Sequence, residues 1–266
     1  MAKKQLSSKQ KGTFRPVTAD ACKLLAFMFL VLYSVGASLM ERNMLHLSSV
    51  TSQELAATML DTSGIVVALS FIFRMLAHLI WPIYAFLAVQ GFLYTTNLKN
   101  YLLRLTLLAL VSEIPFDLTM TGHWFDLSTQ SGIFSILLGL VGLEIAEVLA
   151  EKSRSNAPRF AMAIGCTLWA YLLDAQMGVF VVPAMFLFFY LEDHELFRDL
   201  AIVAVCALMV LLTGLDALFA TMGAAMILLL LHWYNDRIPM ISKWVWYIAY
   251  PVHLIILSII SLWVMK

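Results

Sequence analysis

The stretch YLLRLTLLALVSEIPFDL, residues 101–118, carries three ionisable side chains in an apolar segment long enough to cross a membrane: Arg104, Glu113 and Asp117. A charge in hydrocarbon is costly unless it is paired or hydrated, so such residues are candidates for a functional site. Glu113 and Asp117 are four residues apart and therefore share one face of a helix. This pair fits a base with its orienting group or a cation site. It equally fits bonding to neighbouring helices around Pro115.

Two further residues have side chains suited to chemistry. His253 lies deep in the last apolar segment, within YPVHLIIL. A neutral histidine can act as a general base near pH 7, although a lone helical histidine is often a hydrogen-bonded structural residue. Arg104 lies near one end of its segment, close to Lys99, which fits either a snorkelling anchor or a site for a phosphate-bearing ligand.

Other ionisable residues also fall within apolar segments: Lys23, Arg74, His78, Asp174 and Asp216. The sequence contains no GxSxG, HExxH, P-loop or CxxC motif. A soluble hydrolase, a metalloprotease and a nucleotide-driven pump are therefore not supported. Intramembrane carboxylates are also typical of small transporters.

The elements that must position these residues are those of a polytopic membrane protein. The chain has 266 residues, of which 62% are hydrophobic and 13% are charged, whereas soluble proteins have about a quarter charged residues. The expected partner is the lipid bilayer, and a net charge of zero does not indicate a nucleic-acid partner. Three cysteines in apolar runs are predicted to be small buried residues, neither disulfides nor metal ligands: Cys22, Cys166 and Cys206.

Apolar segments predict an all-α transmembrane bundle of about nine to ten helices. The nine predicted crossings are Ala21–Met40, a segment within Gly64–Tyr94, Tyr101–Met120, Gly132–Leu149, Phe160–Leu173, Met177–Leu191, Leu200–Thr213, Leu215–Tyr234 and Val245–Met265. Gly64–Tyr94 is too long for one untilted crossing and short for two, so it predicts a kink at Pro82 or a re-entrant first third. Phe160–Leu173 and Leu200–Thr213 are short enough to be buried half-crossings that line a cavity.

The distribution of basic residues predicts the orientation. With nine crossings, the side of the N-terminus holds 13 lysines and arginines, including Arg104 near the end of its segment, against two on the other side. The positive-inside rule therefore predicts a cytoplasmic N-terminus. We expect residues 1–20 to be a cytosolic basic tail and residues 21–266 to form one transmembrane domain. The longest polar connection after the tail is Glu41–Ser63.

Residues 78–118, HLIWPIYAFLAVQGFLYTTNLKNYLLRLTLLALVSEIPFDL, closely resemble the central block of the TraX family. The stretches STQSGIFSILLGL, residues 128–140, and YPVHL, residues 250–254, are similar to later elements of that family. The resemblance extends over most of the chain, from Lys23 to His253. The archetype of the family is an inner-membrane enzyme that acetylates the N-terminus of conjugative pilin.

The resemblance implies an acetyl-CoA-dependent acyltransferase of the bacterial inner membrane. Its acceptor would be a pilin-like peptide or another membrane or extracytoplasmic group. His253 would act as the base, and Glu113 with Asp117 would orient it or bind the acceptor. The residues implied near the cytosolic acetyl-CoA are Lys23, Lys99 and Arg104.

The first apolar segment departs from the family pattern. Tyr33 and Ser34 occupy the positions where the family has Asp-His. Ser34 lies eleven residues after Lys23 and takes the position of the histidine. A serine hydroxyl is not a general base near neutral pH, so acetyl transfer by the family route is expected to be weak or absent unless His78 or His253 replaces the missing base.

Three hypotheses follow, and each predicts a different interior. An active acyltransferase predicts a cavity that joins His253 to a basic cytosolic mouth. A catalytically degenerate relative, acting as a membrane binding or assembly partner, predicts that Tyr33 plugs this cavity. A small transporter predicts a site at mid-membrane, formed by Asp174 and Asp216 at breaks between short helices.

Overall fold

A computed structural model of the protein describes residues 15–45, 52–61, 64–235 and 240–264, with the backbone alone at 59–61. Most of the predicted basic tail, residues 1–14, lies outside these ranges. Every regular element in the described ranges is a helix. The helices are α1 Ala19–Val35, continued by the π-helical segment Gly36–Met44, α2 Ser52–Asp61, α3 Ile65–Tyr94, α4 Leu98–Met120, α5 Gly132–Ser153, α6 Ala157–Leu172, α7 Gly178–Tyr190, α8 Glu195–Leu208, α9 Val210–Thr213, α10 Leu215–Leu231 and α11 Lys243–Val264.

The predicted class, an all-helical membrane protein, is confirmed. Among the described helices, five are long and apolar enough to span a bilayer: Ala19–Met44, Ile65–Tyr94, Gly132–Ser153, Glu195–Thr213 and Lys243–Val264. Gly178–Tyr190 and Leu215–Leu231 are shorter apolar helices. The helix count lies close to the nine to ten that hydropathy predicted.

The long segment before Tyr94 is one continuous helix, α3, with Pro82 inside it, so the alternative of a re-entrant first third is wrong. The described residues of the Glu41–Ser63 connection include the end of the π-helical segment and α2. α2 packs against α3 and α10.

Backbone contacts bring several helix ends to the face of the bundle where α1 begins, which we call the N-terminal face. The Val17 amide donates to the Trp233 carbonyl over 3.0 Å, just beyond the end of α10. The Asp20 carboxylate accepts the amides of Met240 and Ile241 at 2.6 and 2.9 Å, just before α11. The end of α10 and the start of α11 therefore lie at the N-terminal face. Arg42, near the end of the π-helical segment, donates to the Leu118 carbonyl near the end of α4, so α4 ends at the opposite face.

α3 lies at the centre of the bundle, in contact with α1, α7 and α10.

The interpretation of Phe160–Leu173 and Leu200–Thr213 as buried half-crossings is wrong. α6 exposes Phe160 and Leu172 by 71% and 73%, and the α8–α9 region exposes Leu211 by 90%. These short helices are peripheral. The expectation that the three cysteines are buried is confirmed.

Candidate functional site

On α4 the exposed side chains are apolar and two buried side chains are carboxylates, which is the reverse of a surface helix in a soluble protein. Leu103, Leu110 and Val111 are exposed by 54%, 60% and 63%, whereas Glu113 is 8% exposed and Asp117 is fully buried. An apolar exposed face with a polar buried face is the arrangement expected of a helix between lipid and a bundle interior. Both carboxylates therefore point into the bundle.

The contacts of these carboxylates lie where α4 joins α5. The Asp126 amide donates to Asp117 Oδ2 over 2.9 Å. Glu113 lies beside the backbone amide and hydroxyl of Ser131, the N-cap residue of α5, although neither of its oxygens makes a hydrogen bond of normal geometry within the described chain. Both carboxylates therefore face the backbone of the α4–α5 connection, and neither is among the residues that line the two cavities described below.

The α4–α5 connection is also ordered by its own polar contacts. The Asp117 carbonyl accepts the amides of Thr121 and Gly122 at 2.8 and 3.1 Å. The Ser128 amide donates to the Asp126 carboxylate over 2.9 Å, and this bond lowers the pKa of Asp126. Asp126 therefore remains ionised at neutral pH, on the face of the bundle opposite the N-terminus.

A cavity of about 620 Å³ extends into the bundle from the N-terminal face, and we call it the first cavity. Its volume is within the usual range of small-molecule sites. Three cations line it near its mouth: Lys23, Arg104 and Lys243. Arg104 Nε is buried and has no hydrogen-bond partner in the described part of the chain. Aromatic side chains form much of the wall: Phe27, Trp81, Tyr84, Tyr101, Trp246, Tyr247 and Tyr250. Lys99 is on the same face but is not a lining residue.

His253 lies behind this aromatic wall. Its ring is 5.3 Å from the ring of Phe27 and 5.4 Å from that of Tyr250, measured between centroids. His253 Nδ1 lies 3.3 Å from the Ala249 carbonyl oxygen. Since a carbonyl oxygen only accepts, Nδ1 carries the proton and Nε2 holds the lone pair of the neutral ring. His253 is 8% exposed and is not a lining residue, so one layer of rings separates it from the first cavity.

A second cavity of about 310 Å³ lies towards the opposite face. Asp174 and Asp216, the two residues that the transport hypothesis brings together, both line it. Asp216 accepts a hydrogen bond from Ser52 Oγ, and His78 Nε2 lies 3.5 Å from Asp216 Oδ1.

Arg74, which pairs with Glu41, also lines this cavity. Ionisable residues in apolar segments signalled four of the lining side chains, namely Arg74, His78, Asp174 and Asp216. No sequence signal connected them to Ser52, which lies on α2.

Three residues line both cavities: Tyr33, Gln176 and Met177. We call them the dividing wall. Gln176 Nε2 donates to Tyr33 Oη over 2.8 Å. The backbone of Gln176 is held by α5 and the segment before it, because its amide donates to the Gln130 carbonyl over 2.9 Å and its carbonyl accepts Ser135 Oγ over 3.0 Å. Tyr33 therefore closes the far end of the first cavity and leaves the interior of that cavity open.

Ser34, the residue at the position of the expected base, is fully buried. Its hydroxyl has no hydrogen-bond partner in the described chain, and it lines neither cavity. Lys23, Lys99 and Arg104 were expected near the acyl donor. Lys23 and Arg104 line the first cavity, whereas Lys99 does not.

Comparison with known proteins agrees with this architecture. Searches among curated proteins and among solved structures give no significant match. A comparison with protein-family models matches the TraX protein family over residues 18–261, which is nearly the whole chain. The matched range includes the lining residues of both cavities and the dividing wall. The chain therefore belongs to the TraX family.

Proposed function

We propose that the protein is an acetyl-CoA-dependent acyltransferase of a bacterial inner membrane, with its N-terminal face in the cytosol. One observation carries this proposal. A large aromatic cavity with a cationic mouth ends at a single layer of residues, and a polar cavity continues from that layer towards the opposite face. Such an arrangement suits a donor and an acceptor that arrive from different sides of a membrane.

The first cavity is proposed as the donor site. Phosphate groups bind to arginine and lysine side chains, and Arg104 offers a buried Nε–H that has no protein acceptor in the described chain. Lys23 and Lys243 add positive charge at the same mouth. The aromatic wall then suits the less polar arm that carries the acyl group. Lys99 is proposed to add charge to the same face without direct contact.

The second cavity is proposed as the acceptor site. Asp174 and Asp216 line it and give it an acidic character that suits an amine, such as the N-terminus of a pilin-like peptide. The geometry supports positioning roles for three residues expected to be catalytic. His253 stands behind the ring of Tyr250. Glu113 lies beside Ser131 at the start of α5, and Asp117 accepts the Asp126 amide in the α4–α5 connection.

The test is release of coenzyme A thiol from acetyl-CoA by the purified protein in lipid nanodiscs, with N-terminal peptides as acceptors. Arg104→Gln should raise KM for acetyl-CoA about 10-fold to 100-fold, because a hydrogen bond to a charged group contributes about 1.5–3 kcal/mol. The matched control is Arg154→Gln, because Arg154 is an exposed arginine just after α5 that lines neither cavity. Equal KM values for the two variants would contradict the donor site.

The degenerate-relative hypothesis predicts a different result in the same assay. The wild type would bind acetyl-CoA, with binding weakened by Arg104→Gln, but would release no thiol with any acceptor. Binding is measured as a rise in melting temperature with ligand concentration, since a ligand that binds only the folded state stabilises it.

A second candidate function is transport, which is favoured by the presence of Asp174 and Asp216 in one cavity next to the dividing wall. Proteoliposomes that contain a pH-sensitive dye would report proton movement coupled to a solute. Flux that is independent of acetyl-CoA and is abolished by Asp216→Asn would support transport over acyl transfer.

A further inference from the structure

We infer that Tyr33 and Gln176 contact the reacting atoms and stabilise the oxyanion of the acyl-transfer step. This inference rests on the proposed acyltransferase function. A group that passes from a donor in the first cavity to an acceptor in the second must cross between residues that line both. In the described chain these residues are Tyr33, Gln176 and Met177.

The hydrogen bonding of the dividing wall leaves two donors available. Gln176 Nε2 uses one of its two N–H groups to donate to Tyr33 Oη. The phenolic proton of Tyr33 is not used in that bond, and the second N–H of Gln176 is not used in it either. The Met177 side chain has no hydrogen-bond donor. A phenol beside an amide N–H, both in a site of low dielectric constant, is a suitable pair for a developing negative charge on oxygen.

The rigidity of the wall supports this role, because donors that are already oriented need no reorganisation during the reaction. Gln176 is fixed through its backbone by Gln130 and Ser135. Tyr33 is fixed by α1, immediately before the π-helical segment begins at Gly36. The two donors therefore come from different parts of the fold and are held at 2.8 Å from each other.

The step can be written with all atoms and electrons accounted for. The lone pair of an acceptor amine forms a C–N bond to the thioester carbonyl carbon, and the carbonyl π electrons move to oxygen. The resulting oxyanion accepts hydrogen bonds from Tyr33 Oη–H and Gln176 Nε2–H. When the C=O bond reforms, the C–S bond breaks and coenzyme A leaves as a thiolate. The proton lost by the amine ends on that sulfur, so the products are an amide and a free thiol.

This assignment gives a role to a residue that departs from the family pattern. Ser34 cannot act as a base and is buried away from both cavities. Tyr33, its neighbour, reaches both. The catalytic contribution from this turn of α1 would then be hydrogen-bond donation to the oxyanion.

The test compares Tyr33→Phe with Tyr190→Phe in the thiol-release assay. Tyr190 lines neither cavity, and its hydroxyl donates to Glu147 over 2.8 Å, away from both proposed sites. Tyr33→Phe keeps the ring and should lower kcat about 100-fold to 1,000-fold, as expected for loss of one oxyanion donor, with KM for acetyl-CoA unchanged. Gln176→Leu should lower kcat in the same way, and Tyr190→Phe should keep kcat within about twofold.

The outcomes separate this inference from the proposed function. Wild-type turnover with equal kcat values in Tyr33→Phe and Tyr190→Phe would overturn the oxyanion assignment alone. Absence of wild-type turnover with every acceptor would overturn both. A rise in KM without a fall in kcat would show that Tyr33 only binds substrate and would also overturn the assignment. Unfolding temperatures of all three variants identify any loss of kcat that comes from a misfolded protein.

Discussion

Gly223 on α10 lies directly against the main chain of His78 on α3. A Cβ atom built on Gly223 would stand 2.4 Å from the His78 carbonyl oxygen and 2.8 Å from its carbonyl carbon. Both distances are shorter than van der Waals contact, and the obstacle is backbone that cannot rotate away. The two helices therefore cross at a point that fits only glycine, and this crossing brings His78 within 3.5 Å of Asp216, also on α10.

Gly223→Ala should force α3 and α10 apart and destabilise the protein by about 1–3 kcal/mol, the usual cost of overpacking. The measurement is the melting temperature in detergent. Gly165→Ala on α6 is the control, because a Cβ there meets nothing within 4 Å and alanine favours a helix over glycine by up to about 1 kcal/mol. Equal melting temperatures for the two variants would contradict the close crossing.

The buried pair of Arg74 and Glu41 should respond strongly to loss of one partner. Their side chains are 16% and 5% exposed, and breaking a buried ion pair by removal of one partner costs about 3–5 kcal/mol. Glu41→Gln should therefore lower the unfolding free energy by about this amount. The double variant Glu41→Leu with Arg74→Met should recover much of the loss, because it replaces both charges of the pair with apolar side chains.

The control is the ion pair of Arg159 and Glu147, in which the two side chains are 35% and 21% exposed. Because this pair is partly screened by solvent, Arg159→Gln should cost only about 0.2–1 kcal/mol. If Glu41→Gln proves no more damaging than Arg159→Gln, the buried pair does not hold the π-helical segment against α3.

Arg42 ties three elements at the face opposite the N-terminus. It donates to the carbonyls of Leu118 and Thr119 at 2.7 and 3.1 Å and to the hydroxyl of Ser261. Arg42→Gln should lower the melting temperature more than Ser261→Ala, because Ser261→Ala keeps both carbonyl bonds of Arg42. The reverse order would show that Arg42 does not hold the end of α4.

His253→Ala should leave turnover within a fewfold of the wild type while lowering stability. The reason is that His253 stands behind Phe27 and Tyr250 and lines neither cavity. The assay is thiol release, together with thermal unfolding of the same sample. A complete loss of turnover at unchanged melting temperature would instead identify His253 as the base.

Hydropathy was sufficient to locate the helices, and helical spacing was sufficient to place Glu113 and Asp117 on one face of α4. Both signals are local, since they depend on residues within one helix. The contact between Tyr33 and Gln176 joins positions 143 residues apart, and no local pattern encodes it. The peripheral position of α6 was missed for the same reason. A short apolar helix has the same sequence pattern whether protein or lipid surrounds it.

The dividing wall also has an electrical consequence. If both cavities hold water, most of the voltage across an energised membrane falls over this one layer of residues and little over the rest of the bundle. One elementary charge that crossed it would gain or lose about 2.3 kcal/mol per 100 mV. Acetyl transfer moves no net charge and should proceed equally well in energised and de-energised vesicles. Tyr33→Gly should open a conducting path, so that cells producing this variant lose their membrane potential even without a substrate.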